Sequence, residues 1–184
     1  MLEPSIKLIG EQVYLRPITT SMEDTMNIIK WRNSSVVRPY FIHQESFTVE
    51  GHMQWLENVI IPEKGHQFIV CKKENGKPIG SIFFRDIDHK HRKAEQGLFL
   101  GEEQEKGKGI GCEILMLLSD YGFKTLNFHK VSARVLAENT ASLRCHLKAG
   151  FVKEGVFREE VIINGEYKDV VWLAKYNPLE RDLK

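Results

Sequence analysis

Two Asn-Gly pairs, Asn75-Gly76 and Asn164-Gly165, each stand between two runs of strand-forming residues. In that setting Asn-Gly is the strongest local signal for a tight hairpin, because both residues tolerate positive φ. The pairs predict hairpins joining Gln67–Lys73 to Pro78–Asp86 and Val152–Ile163 to Tyr167–Lys175. Between the hairpins, strand and helix patterns alternate. Ala94–Leu100 reads as a strand, and Gly109–Leu126 as a helix with Ile110, Ile114, Leu117, Leu118 and Tyr121 on one face. Lys130–Leu136 reads as a strand and Thr140–Ala149 as a short helix stopped by Gly150. Ahead of the first hairpin, residues 6–16 read as one strand ended by Pro17. Ser21 to Asn33 then reads as a helix with Met22, Met26, Ile28 and Ile29 on its apolar face. Val49–Ile61 reads as a second helix, with Met53, Leu56 and Ile60 at helical spacing and Pro62 closing it. The order β-α-α-β-β-β-α-β-α-β-β implies an α/β (α+β) fold, one mixed central sheet of about seven strands flanked by about four helices.

Composition narrows the function. The chain has 184 residues, a length that one domain accommodates, and 42% apolar residues supply a core. Its 26 Lys and Arg against 25 Asp and Glu leave no basic surplus, which argues against a general nucleic-acid binder. No apolar run approaches the roughly 18 residues that span a bilayer, and the opening MLEPSIKLIGEQ does not read as a signal peptide. No membrane insertion and a cytoplasmic location are expected. Cys71, Cys112 and Cys145 are odd in number and far apart, which fits neither a disulfide framework nor a zinc site. His89 and His91 have a spacing that suits a metal on a strand, but no carboxylate or cysteine set completes it. A solvated loop is the better reading, and no metal is expected.

The segment with chemical content is Glu105-Lys106-Gly107-Lys108-Gly109-Ile110-Gly111, between a strand and a helix. Alternate glycines let backbone approach a ligand, and the helix behind them offers free N–H groups at its positive end. This makes a phosphate cradle, or else a tight turn with capping glycines. Farther along comes Ala137-Glu138-Asn139-Thr140-Ala141-Ser142-Leu143-Arg144-Cys145-His146-Leu147-Lys148-Ala149-Gly150-Phe151. Together the two segments resemble the acyl-CoA-binding core of the GNAT N-acetyltransferase superfamily. The first matches its Q/R-x-x-G-x-G/A loop, with Lys106 where Gln or Arg is usual, and the second its N-x-x-S…K-x-G-F segment. Ala94-Glu95-Gln96-Gly97 and Asn164-Gly165-Glu166-Tyr167-Lys168-Asp169 are similar to the branch that acetylates ribosomal-protein N-termini. The resemblance covers residues 66–175 strongly and the first 65 loosely.

The resemblance implies a single acyl-CoA N-acyltransferase domain over residues 1–184, with 1–65 as the acceptor-site half and 66–176 as the CoA-binding core. Acetyl-CoA is then the co-substrate. The Leu98 and Leu100 backbones would flank the pantetheine arm between two separating strands. Lys106, Gly107, Gly109, Ile110 and Gly111 would cradle the pyrophosphate, and Asn139 and Ser142 would reach the pantetheine. The chemistry is direct attack of an amine on a thioester, which needs a route for one proton and an acid for the departing thiolate. Glu95 is the candidate base, or else an exposed strand-edge carboxylate. His146 falls where many relatives carry the tyrosine that protonates the thiolate, and an imidazole with an unperturbed pKa of about 6.5 suits that role. The alternative is a histidine packed on a helix face. Cys145 reads as a buried structural thiol rather than a nucleophile.

For the acceptor, Lys30 to Gln44 holds Lys30, Arg32 and Arg38 with aromatic rings and no acid. Trp31, Arg32, Asn33, Arg38 and Tyr40 are the candidate substrate-binding residues, suited to phosphates and a planar base. The alternative is a helix end whose cations favour the dipole. The string resembles the opening of GNAT enzymes that acetylate nucleotide-linked amino sugars, so such a sugar is the favoured acceptor. A ribosomal-protein N-terminus and a polyamine remain as alternatives, the latter with Glu45, Glu50 and Glu57 supplying an acidic pocket. A GNAT-shaped module that holds CoA without catalysis is the reading from another class. Exposed sheet edges make a homodimer an expectation.

Overall fold

The strand predicted over residues 6–16 is two strands in the computed structural model, which describes residues 6–183. Leu8–Ile9 (β1) and Val13–Pro17 (β2) pair antiparallel about a turn. Glu113 holds that turn, its Oε1 accepting the N–H groups of Gln12 at 3.0 Å and Val13 at 3.3 Å. The carboxylate comes from the far side of the chain, so no local pattern announces the break. The sheet accordingly has eight strands rather than seven.

Helix α1 (Met22–Arg32) starts where Ser21 accepts the N–H of Asp24. Its inward face differs from the expected one. Ile28 and Trp31 are buried, whereas Met22 and Met26 are 57% and 50% exposed. The cause is Asp24, which is buried and takes both Arg16 Nη groups at 2.8 and 2.6 Å and the Thr19 N–H at 2.9 Å. That ion pair turns the Asp24 side of the helix onto the sheet and the methionines outward. Helix α2 (Val49–Trp55) continues through a π-helical turn, Leu56–Ile60, and buries Leu56 and Ile60.

The remaining elements fall within two residues of their predicted bounds. They are β3 (His66–Lys72), β4 (Pro78–Asp88), β5 (Lys93–Leu100), α3 (Ile110–Lys124), β6 (Lys130–Leu136), α4 (Thr140–Lys148), β7 (Val152–Ile163) and β8 (Glu166–Tyr176). The strands lie in the order β1-β2-β3-β4-β5-β6-β8-β7, antiparallel except for β5 with β6. Helices cover both faces. Ile114, Leu115 and Leu118 of α3 pack with Phe68, Ile82 and Val131, and α4 joins this side through Leu143 and Cys145. On the other face Ile28, Trp31 and Leu56 pack with Ile69 and Phe99. Alternation along β5 therefore sends Ala94, Gln96 and Leu98 toward α3, and Glu95, Gly97 and Phe99 toward α1 and α2. Among the described residues no helix is long and apolar enough to cross a membrane.

Candidate active site

The one parallel pairing is short. β5 and β6 stay in register only from Lys93 opposite Lys130 to Glu95 opposite Ser132. Beyond that point β5 remains with β4 as far as Leu100, and β6 remains with β8 as far as Leu136. Each strand is held by its outer neighbour, so the two part, and a groove of about 570 Å³ opens between them. Its volume is that of a small-molecule site. Leu98, Leu100, Asn139 and Ser142 line it, as do Lys106, Gly107, Gly109 and Gly111.

The glycine-rich loop caps one end of this groove. Gly107 and Gly109 have φ of 78° and 82°, a backbone state that side chains resist, and Gly109 is the N-cap of α3. The N–H groups from Gly107 to Gly111 have no acceptor among the described residues. Five free donors at the positive end of a 15-residue helix are suited to a diphosphate. Ile110 contributes only backbone here, since its side chain is buried in the core. The Lys106 ammonium donates to the Val36 carbonyl at 3.0 Å and lies 5.6 Å from the Tyr40 ring centroid. It ties the loop to the segment that follows α1. Asn139 caps α4 by accepting the Ser142 N–H at 3.1 Å.

Glu95 is not an exposed strand-edge carboxylate. It is 5% exposed, and both oxygens are engaged. Arg85 of β4 donates to Oε1 through Nε at 3.2 Å and through Nη2, while Arg134 of β6 donates to Oε2 through Nε at 2.9 Å. Arg134 lies two residues past the last β5–β6 backbone pair, so this link bridges the strands just where they separate. Asp86 is exposed beside the cluster, 3.9 Å from Arg85 and 4.0 Å from Arg134.

His146 lines the groove and is 5% exposed, packed edge-on against Phe151. Its Nδ1 is 2.9 Å from the Ser142 carbonyl, which can only accept, so Nδ1 carries the proton. Burial lowers its pKa, partly opposed by that bond. Burial disfavours the charged ring and Nδ1–H is turned to the backbone, so this geometry favours an acceptor at the other ring nitrogen. Cys145 and Cys112 also line the groove, and burial foremost pushes the Cys145 thiol up to about 12, which suits a structural role.

The expected acceptor residues are largely held by contacts within the protein. Trp31 is 1% exposed and donates Nε1–H to Glu102 at 3.1 Å, its indole against Gly101, where an added Cβ would fall 1.9 Å from the ring. Arg32 is buried against the rings of Phe41 and Phe47. Asn33 pairs with the Phe47 backbone through both ends of its amide, and Arg38 donates to the Gln44 carbonyl. Of the five only Tyr40 lines the groove. Most of the basic aromatic string is therefore engaged within the fold, with Arg32 Nε and Nη1 buried and without a hydrogen-bond partner. Glu45, Glu50 and Glu57 are exposed and lie outside the groove lining. His89 and His91 sit in an exposed turn where His91 bonds Asp88, and no metal-binding cluster of three occurs among the described residues. Sequence reasoning missed Arg85 and Arg134, whose partner is evident only once strand register is known.

Comparison with known proteins agrees with this geometry. The family model for the Acetyltransferase (GNAT) domain matches residues 12–152. Spermidine N(1)-acetyltransferase of Vibrio cholerae is 30% identical over 138 residues, 75% of this chain and 78% of that one. The crystal structure of spermidine N-acetyltransferase from Vibrio cholerae in complex with CoA and spermine matches with a TM-score of 0.83 and 26% identity, covering 91% of this chain and 97% of that one. Ribosomal-protein-S5-alanine acetyltransferase from Vibrio fischeri matches with a TM-score of 0.81 and 26% identity, over 95% and 98% of the two chains.

Proposed function

The chain belongs to the GNAT acetyltransferase family and is an acetyl-CoA-dependent N-acetyltransferase, and from that premise we propose that its acceptor is a polyamine. The observation that carries the acceptor is the likeness, across 91% of this chain, to a spermidine N-acetyltransferase bound to CoA and spermine. It favours the polyamine over a nucleotide-linked amino sugar, for which Trp31, Asn33 and Arg38 offer side chains already hydrogen-bonded within the fold. The groove also supplies aromatic rings in Tyr40, Phe41 and Phe83, over which an aliphatic ammonium packs well, with the exposed Asp86 carboxylate nearby.

Acetyl-CoA brings an activated acetyl thioester. The free N–H groups from Gly107 to Gly111 fit its diphosphate, and the Leu98 and Leu100 edge of β5, unpaired beyond Glu95, fits the amides of its arm. We read residues 1–65 as the acceptor side and 66–176 as the coenzyme side of one catalytic domain. Glu95 acts as a positioning residue that fixes the strand opening, and His146 offers an acceptor nitrogen for the proton that the amine must lose.

One observation favours a second reading. Glu95 is already matched by two guanidinium groups, so the acceptor face of the groove has no free buried carboxylate among the described residues. Arginine forks suit peptide carbonyls better than the second ammonium of a polyamine. A ribosomal-protein N-terminus, the acceptor named for the Vibrio fischeri relative, meets that condition.

The test is release of CoA thiol from acetyl-CoA with spermidine, spermine, an alanine-leading peptide and a nucleotide-linked amino sugar offered in parallel. The proposal expects turnover with the polyamines at least about tenfold above the others, the scale of one well-made polar contact. Turnover confined to the peptide transfers the assignment to the second reading. No release with any of them, despite measurable CoA binding, would overturn both.

A further inference from the structure

Gln96 breaks the pattern of its strand. Its neighbours on the α3 face of β5, Ala94 and Leu98, belong to or pack against the apolar core, and Gln96 is 2% exposed. The Ser119 hydroxyl has two acceptors within reach, the Leu115 carbonyl at 2.7 Å and Gln96 Oε1 at 3.4 Å, so the amide oxygen of Gln96 is the end turned toward it. Gln96 Nε2 has no partner among the described residues. A buried donor left unmatched costs stability, and where a native fold keeps one, a ligand or water normally completes it.

The position says which ligand group. Gln96 lines the groove together with Leu98, Leu115 and Ala133 and is the first residue beyond the last β5–β6 pair, hence at the closed end. A strand rise of roughly 3.3 Å per residue sets it about 13 Å from Leu100, where β5 runs into the glycine-rich loop. The diphosphate belongs at the loop, so the acyl end of the coenzyme belongs beside Gln96. We propose that Gln96 Nε2 donates to the carbonyl oxygen of the acyl thioester, and so stabilises the negative charge that grows there as the amine adds. The amine nitrogen bonds the acyl carbon, whose π pair moves to the oxygen. That pair returns as the C–S bond breaks, and the proton lost by nitrogen balances the one gained by the thiol. The inference rests on the acetyl-CoA reading above.

Calorimetric titration of wild type, Gln96→Leu and Gln96→Met with CoA and with acetyl-CoA tests it. The wild type is expected to prefer acetyl-CoA by about fivefold, one net hydrogen bond. Both variants should lose that preference while holding CoA within about twofold. Their ligand-free melting temperatures should equal or exceed that of the wild type, because an unmatched amide gives way to an apolar group of similar size. With whichever amine turns over, kcat should fall about a hundredfold, the scale of one lost oxyanion donor. A retained preference for acetyl-CoA, an equal loss of both ligands, a lowered melting temperature or an unchanged kcat would each overturn the proposal. Absence of CoA binding by the wild type would instead overturn the coenzyme reading beneath it.

Discussion

Replacing Gly109 by valine is expected to weaken CoA binding by about a hundredfold, the loss of two charge-assisted hydrogen bonds of about 1.5 kcal/mol each. Gly109 has φ +82°, and a Cβ placed there meets no protein atom within 4 Å. The penalty is therefore not a clash within the fold. A β-branched residue resists the left-handed state, so the turn must rearrange and take the donors of the α3 N-terminus out of alignment. Equilibrium titration with CoA measures the effect, and a far-ultraviolet melt checks that the helix persists. Affinity within about threefold of the wild type would mean that the diphosphate lies elsewhere.

The second large effect belongs to Glu95. Replacing it by alanine leaves Arg85 and Arg134 facing each other without their shared anion. Breaking a buried ion pair in this way costs about 3–5 kcal/mol, and the arginines are each about one-third exposed, which favours the lower figure. At roughly 2–4 °C per kcal/mol for a chain of this size, the melting temperature should fall by about 6–12 °C. Because the Glu95–Arg134 link closes the vertex of the strand opening, CoA affinity should fall with it. A Glu95→Ala protein that melts like the wild type and binds CoA normally, but turns over at least about a hundredfold more slowly, would restore Glu95 as the general base.

What was legible in the sequence follows from the range of the forces involved. Asn75-Gly76 and Asn164-Gly165 act within four residues, and the Ile110–Tyr121 stripe repeats along one helix, so those elements fall where local reading puts them. The break between β1 and β2 depends on Glu113, and the roll of α1 on the Arg16–Asp24 pair, neither of which any local periodicity encodes. The Arg85–Glu95–Arg134 bridge needs the register of three strands. The phosphate-receptor reading of Lys30 to Gln44 finds no support in the fold for a related reason. Unpaired cations in a sequence need not be unpaired in the fold, and here Phe41, Phe47, Glu102 and the Gln44 carbonyl absorb them. The Gln96 signal was present throughout, one amide in an apolar alternation, but its meaning depended on knowing that β6 departs beside it.

All of this rests on the proposal that the backbone donors from Gly107 to Gly111 grip the diphosphate of CoA. Amide proton and nitrogen shifts of the wild-type protein, followed through a titration with CoA, test it at the atoms concerned. These five N–H signals are expected to move downfield together and to saturate with the same midpoint. A complex that forms with all five unmoved, while other amides shift, would contradict it.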